Sequence, residues 1–307
     1  MIQIQPYALT NDLIEKGFLM SLEDEHLVFP DGTEKSQEGW EFVKVYDDSV
    51  LLYEGFCFKK VRNGFGVEYY PKKGFYKGYF FDGKRQGEGI FTYEDGTSYE
   101  GSFLDDKFDG FGVYKNVDGS FYEGNFLNNK FHGEGRYVYP NGDYGEGIFE
   151  NDKMNGEGKF YYKDGGVYEG NIKDDIFTGK GTYLYPCGKI YKGTFENDYF
   201  QGKGELKDED ENIYNGDFVL GKCQGKGTYL YKDGRKYTGG WKDSLKDGFG
   251  IYEWVNGEIY KGHWKNGVRH GVGYKTKGNI VKKVIFKFNK KIKEETVEKF
   301  VFTKNLP

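Results

Sequence analysis

The residues able to do chemistry are few and scattered. Four histidines (His26, His132, His263, His270) and three cysteines (Cys57, Cys187, Cys223) are the candidates for metal ligation or nucleophilic work. None of their spacings matches a ligand pair of the Cys-x-x-Cys or His-x-x-x-His kind. His132 and His270 fall at the same turn position and are expected to face solvent or a partner. The run Asp208-Glu209-Asp210-Glu211 would suit a hard cation. It lacks the glycine and the terminal glutamate of a calcium loop, so it reads as a solvated turn. Many Gly-x-Gly pairs invite comparison with a phosphate cradle. None continues as Gly-x-Gly-x-x-Gly or ends in Gly-Lys-Ser or Gly-Lys-Thr, and Gly179-Lys180-Gly181-Thr182, the nearest, lacks the upstream spacing. No nucleophile–base–acid set or carboxylate pair stands out. The sequence therefore predicts no catalytic residue, no metal and no cofactor.

The glycines have another use. Gly55, Gly78, Gly101, Gly124, Gly147, Gly170, Gly193, Gly216, Gly239 and Gly262 stand 23 residues apart. Nine residues after each comes a second glycine, from Gly64 to Gly271, and two further on a third, from Gly66 to Gly273. Ten units occupy residues 53–282 without an insertion between these glycines. A tyrosine stands two before the first glycine in nine units, and Cys57, Ile172, Trp241, Trp264 or a phenylalanine stands two after it. The fifth unit departs, with Gly145 in the tyrosine position and Tyr144 beside it.

Composition names the elements that carry this pattern. There are 48 Gly, 28 Tyr and 27 Phe, with one alanine, Ala8, which favours strands over helices. The absence of a three-residue glycine period excludes collagen, and the aromatic load argues against disorder. Tyr99-Glu-Gly101-Ser-Phe103 alternates as a strand does, and Gly112-Val-Tyr114 resumes the alternation after a polar turn. Each unit is thus expected to be a β-hairpin, joined to the next by turns such as Glu94-Asp95-Gly96. Simple antiparallel pairing would set Phe103 opposite Gly112 and Gly101 opposite Tyr114, each ring over a bare glycine. Twenty such strands would make a ribbon about 95 Å long, with no thick core and with caps at its ends.

Tyr-Glu-Gly-x-Phe followed by Gly-x-Gly-x-Tyr at this spacing resembles the MORN repeat, over about three quarters of the chain. The resemblance implies an all-β fold: an elongated, single-layer, twisted antiparallel sheet of about ten tandem 23-residue hairpins with short end caps. It also implies the family's range of roles, among them radial-spoke components of cilia, cytoskeletal scaffolds, membrane bridges, and repeats beside a kinase or SET domain. Segments of 52 and 25 residues outside the repeats are too short for such an enzyme. The resemblance favours a non-catalytic scaffold that docks or spaces other proteins of a ciliary, axonemal or cytoskeletal assembly. Nucleic acid is not an expected partner.

The divisions are a cap over 1–52, the repeats over 53–282 and a basic tail over 283–307. In the cap, residues 2–4 alternate as a strand, Asn11-Asp12 is a helix start, and 42–45 with 50–52 form a hairpin around Asp47-Asp48. The start of the chain does not read as a secretory signal, and three widely spaced cysteines suit a reducing, intracellular compartment. Two groups are candidate contact residues. Phe108, Phe131, Met154, Phe177 and Phe200 recur beside the hairpin turn; they either pack on neighbouring turns or form a partner-binding ridge. Lys282, Lys283, Lys287, Lys290, Lys291 and Lys293 make the tail basic. They either guard an edge strand over 284–288 or tether the chain to anionic, phosphoinositide-bearing membrane. A third use follows from charge. Residues 1–52 carry 3 Lys against 11 Asp and Glu, and residues 279–307 carry 8 Lys against 3 Glu, which favours head-to-tail self-association.

Overall fold

The computed structural model describes residues 2–7, 13, 16–19, 21–23, 26–30 and 34–297. The helix start expected at Asn11-Asp12 and the end of the tail, 298–307, lie outside the described residues. The protein is all-β. Twenty-four strands lie in antiparallel sheet, and three short ones, Ser21–Glu23, His26–Val28 and Glu34–Ser36, form a separate meander. The chain divides into two compact units, residues 1–154 and 155–307.

In the first unit, Ile2–Tyr7 pairs with Trp40–Asp47, which pairs in turn with Val50–Phe58. Hairpins then follow in sequence order, with Ser98–Leu104 and Lys107–Lys115 as a representative pair. Strand Val50–Phe58 runs through the division expected at residue 52. In the second unit the same order continues from the pairing of 156–161 with 167–172 to the last described strand, Lys290–Val297.

The hairpin register differs from simple pairing about the turn. Gly101 faces Gly112 and Tyr99 faces Tyr114, while Phe103 faces Phe108 across a bulge. Phe103 meets a glycine only on the other side, Gly87 of the preceding strand. The reason lies in the turn. Leu104 pairs with Lys107, leaving a two-residue loop, Asp105-Asp106, with φ of 49° and 68°. Two positive φ values match the right-handed twist of the flanking strands, and Asp and Asn tolerate them best after glycine. Asn128-Asn129, Asn151-Asp152 and Asp174-Asp175 repeat the device. Two more residues then lie on the second strand than on the first. They are absorbed at the bulge between Gly101 and Phe103, where Gly110 takes a φ of 97°.

A ring still covers bare glycine, but it is the tyrosine. The Tyr99 ring lies across the Gly101–Gly112 pair, so that a Cβ on Gly112 would meet Tyr99 ring atoms at 2.6 Å. Its hydroxyl donates to the Ser102 carbonyl at 2.8 Å, an acceptor at the bulge. Tyr122, Tyr168, Tyr191, Tyr214 and Tyr237 donate in the same way to the residue three positions on, at 2.7–3.0 Å. Each of these rings is almost completely buried.

The opposite face is mostly polar and exposed. Near the start of the first unit it is apolar instead, and Leu13, Phe18, Leu19 and Phe29 cover it, packing on Phe42, Phe56 and Val67. These large residues replace the cross-strand ion pairs found further along, such as Arg136–Glu146 at 3.4 Å.

Two expectations follow. Gly112→Ala should destabilise the first unit by about 1–3 kcal/mol, since the added methyl overpacks a ring with nowhere to go, whereas exposed Glu100→Ala should change stability by less than about 0.5 kcal/mol. Urea melts of the two variants check this. The second concerns pH. Burial pushes the Tyr191 phenol up to about 12, and burial holds Tyr76, Tyr99, Tyr122 and Tyr168 well above the ordinary range. In the unfolded chain phenols ionise near 10. The stability these tyrosines contribute is complete below about pH 10 and is lost as pH rises towards 12 and beyond. Far-ultraviolet circular dichroism should therefore be lost together with the tyrosinate absorbance of the buried rings, above about pH 10, after the exposed tyrosines such as Tyr199 and Tyr274 are accounted for. Complete ionisation of the tyrosines with an unchanged dichroism signal would contradict this.

Candidate docking surface

In each unit the tyrosine face carries further side chains that recur from hairpin to hairpin. On the turn side stand Phe108, Phe131 and Met154 in the first unit and Phe177 and Phe200 in the second. Phe108 stacks on Tyr99 at 3.8 Å between ring centres, Phe131 on Tyr122 at 3.9 Å, Phe177 on Tyr168 at 3.6 Å and Phe200 on Tyr191 at 3.7 Å. Phe108, Met154 and Phe177 are buried; Phe131 and Phe200 are half-buried. Tyr99, Tyr122 and Tyr191 are also met edge-on by the phenylalanine of their own strand and by that of the next hairpin, Phe103 at 5.2 Å and Phe126 at 4.9 Å for Tyr99; Tyr168 has Ile172 on its own strand and Phe195 of the next hairpin at 5.0 Å. The edge contacts are a favoured aromatic geometry; the stacks, with ring centres only 3.6–3.9 Å apart, are close to face-to-face.

The same frame position holds Arg62, Arg85, Cys223, Lys246 and Arg269, which the sequence reading passed over. Counting 23 residues either way from Phe108 would have found them. Arg85 spreads over Tyr76, Phe91 and Phe103 at 5.4–5.7 Å. Arg269 covers Phe286 at 4.4 Å. Lys246 lies within 5.2 Å of the Tyr231, Tyr237, Tyr252 and Trp264 ring centres. Its ammonium donates to the Tyr231 hydroxyl at 2.6 Å, and burial, with Arg235 nearby, pulls its pKa down to about 8.

Two more columns lie on the far side of the tyrosines, and the sequence reading also passed over them. Phe91 with Tyr93, Tyr137 with Tyr139, Tyr183 with Tyr185 and Tyr229 with Tyr231 pair at 4.5–4.7 Å at the end of one strand, the outer ring in the last three pairs standing one residue beyond it. The outer ring of each pair is half-buried. Gly-x-Gly-x-Tyr-x-Tyr was the available signal. In the first unit this face holds a groove of about 500 Å³ between Phe91, Tyr114 and Phe131, with Asp106 and Asp152 on its rim. The rim carboxylates also hold the hairpins in register: the backbone N–H of Phe131 donates to Asp152 Oδ1 at 2.9 Å and that of Arg85 to Asp106 Oδ1 at 2.9 Å. At the equivalent place Asn129 accepts from Phe108 at 2.8 Å.

The remaining candidates are dispersed. Among the described residues no group of three or more His, Cys, Asp or Glu side chains is placed to hold a metal ion. Asp208 is partly buried, which alone would raise its carboxyl; Asn212 and Tyr229, donating at 2.9 and 2.8 Å, outweigh that and lower it. Glu211 pairs with Lys232 at 3.0 Å. His270 is half-buried rather than solvent-facing, and its Nδ1 accepts from the Phe288 backbone at 3.3 Å.

In the tail the expected edge strand over 284–288 is corrected. The strand is Ile280–Lys287, Phe288 sits in the turn with a φ of 45°, and Lys290–Val297 pairs outside it. Val284 is fully buried as a result. Lys282 pairs with Glu294 at 2.9 Å, and Lys291 with Glu294 and Lys293 with Glu295 form further ion pairs. Lys283, Lys287 and Lys290 lie on the same two strands.

These features define a tandem β-hairpin repeat protein whose aromatic face supplies most of its buried core. MORN repeats match at 53–75, 76–98, 99–121, 122–144, 146–167, 168–188, 191–212, 214–234, 237–259 and 260–279, and the chain belongs to the MORN-repeat family. No curated protein matches it. Among solved structures it is similar to the SAS-4 TCP domain of Drosophila melanogaster in complex with a proline-rich motif of Ana2, at 13% identity and a TM-score of 0.33, over 61% of this chain and 88% of that one. It is also similar to a catalytically inactive virginiamycin B lyase from Staphylococcus aureus, at 10% identity and a TM-score of 0.15, over 90% and 96% of the two chains. Nothing further follows from likenesses at these scores.

Lys246→Met tests the aromatic cage. Methionine already occupies this column at Met154, and it removes the desolvation of a charge while losing the attraction to the rings. We expect stabilisation of about 1 kcal/mol below pH 8. The folded pKa is lowered, so the native chain regains stability between about pH 8 and 10, and the advantage of the variant should shrink across that window. Thermal melts at pH 7 and 9.5 decide it; an advantage independent of pH would show that the ammonium is not penalised.

Proposed function

We propose that this chain is a non-catalytic scaffold that docks partner proteins on its aromatic face within a ciliary or cytoskeletal assembly. The carrying observation is the recurrence, at the same position of six hairpins, of a ring pair whose outer ring is half-buried. Aromatic side chains are enriched at the centres of protein interfaces, and a regular column of them offers the same contact at successive steps. The ciliary and cytoskeletal setting comes from the roles of MORN-repeat proteins.

The tether reading draws less support. Three of its six lysines, Lys282, Lys291 and Lys293, are engaged by Glu294 and Glu295, which reduces the charge available to an anionic surface.

Detergent fractionation of native cells tests the proposal. The chain should remain with the insoluble cytoskeletal or axonemal residue, and cross-linking there should join it to neighbours through the tyrosine face. Release with solubilised membranes would overturn the scaffold in favour of the lysine tether.

A further inference from the structure

We propose that the aromatic groove over residues 85–152 takes a basic, proline-rich segment of a partner protein in the polyproline II conformation. This rests on the docking reading and names the chemistry of the partner.

The location of the groove restricts its occupant. It lies on the face of the sheet, where the strands already pair on both sides, so an incoming segment finds rings and hydroxyls but no ladder to join. An extended β-strand would leave its backbone groups unmatched. A polyproline II segment needs no backbone partner, because its peptide groups stay solvated and its prolines dock between aromatic rings.

The spacing restricts it further. Phe91, Tyr114 and Tyr137 recur once per hairpin, and two strands span roughly 9.6 Å. Three residues of polyproline II advance about 9.3 Å. A proline at every third position therefore stays in step with the hairpins to about 0.3 Å per step, meeting the edge of the largely covered Phe91, the half-buried Tyr114 and, beyond the groove, the half-buried Tyr137. The seven-residue repeat of an α-helix advances about 10.5 Å and drifts three times faster.

Charge gives the third argument. Residues 85–152 contain 14 Asp and Glu against 5 Lys and Arg, a net charge of −9, while the preceding 53–84 contain 3 against 7. Exposed carboxylates stand along both rows of turns beside the groove: Glu94, Asp95 and Asp118 on one side, Asp105, Asp106 and Asp152 on the other. Arg85 pairs with Asp106 at 3.1 Å and Lys84 with Asp105 at 3.0 Å. Glu94, Asp95, Asp118 and Asp152 suit arginine or lysine at the residues between prolines.

Fluorescence anisotropy with the full chain and labelled (Pro-Pro-Arg)4 tests this. We expect micromolar binding that weakens with salt, and binding at least tenfold weaker for (Gly-Gly-Arg)4, which has the charge without the preformed conformation. The triple variant Asp95→Asn, Asp118→Asn, Asp152→Asn keeps each Oδ1 acceptor, as Asn129 and Asn141 do at equivalent turns. It should melt like the parent and bind at least fivefold more weakly. A photoreactive group at the peptide centre should cross-link within 85–152. Equal binding of the glycine peptide, equal binding of a helical peptide of the same charge, or cross-links outside 85–152 would each overturn the proposal. If (Pro-Pro-Arg)4 fails to bind while the chain still cross-links to proteins in the cytoskeletal residue, this inference falls and the docking reading stands.

Discussion

Everything in this protein depends on one tyrosine lying flat across two glycines. The glycine pair lets two strands and a ring approach more closely than any side chain would permit. The ring then supplies the apolar cover that glycine lacks, and its hydroxyl satisfies a carbonyl at the bulge. Each part requires the others. Without the bulge the tight turn of two positive-φ residues could not be reconciled with the glycine register. Without the hydroxyl a buried bulge would hold an acceptor short of a donor, and without the glycines the ring would have no seat.

A clamp of this kind is complete within one hairpin, but its aromatic contacts are shared. Tyr99 meets Phe103 of its own strand and Phe126 of the next hairpin, so each unit finishes the core of its neighbour. Stability in such an array grows by nearest-neighbour interfaces, and exceptions are felt locally. The fifth unit shows one. Gly145 replaces the tyrosine, and Arg136 lies over Tyr144 at 4.2 Å while pairing with Glu146. At the start of the first unit the problem is the opposite face, where Phe56 and Val67 would be exposed. The N-terminal segment covers them with Leu13, Phe18 and Phe29, giving that end a second small core.

The hairpins were legible in the sequence because glycine spacing reports backbone geometry directly, and no insertion blurred it. The register was not. Alternation about a polar turn predicts Phe103 opposite Gly112, and it fails because φ values at Asp105 and Asp106 are invisible to a hydrophobic pattern. The signal was present in the residue types: the Asp and Asn pairs at 105–106, 128–129, 151–152, 174–175 and 197–198 are the signature of a two-residue loop. The column beside the turn was half legible. Phe108, Phe131, Met154, Phe177 and Phe200 stand out as apolar. Arg62, Arg85, Lys246 and Arg269 share their position yet look like surface charges, because a cation seated over rings has no mark of its own in a sequence. In the tail, counting lysines misses that Glu294 and Glu295 fold back to meet them.

The tyrosine face has to reconcile stability with contact, and the columns divide that work by depth. The central tyrosines are nearly inaccessible and serve the fold alone. The rings next to them, such as Phe91, are largely covered, while Tyr93 and Tyr139 at the outer column are only half-buried. An outer ring already held against its strand neighbour has little conformational freedom left to lose on binding. The regular β-ladder beneath fixes the distance between successive outer rings. A partner whose own repeat matches that distance can engage several of them at once, and one whose repeat differs engages one or two before slipping out of step. The selectivity of this surface then follows from the same strand spacing that sets the fold.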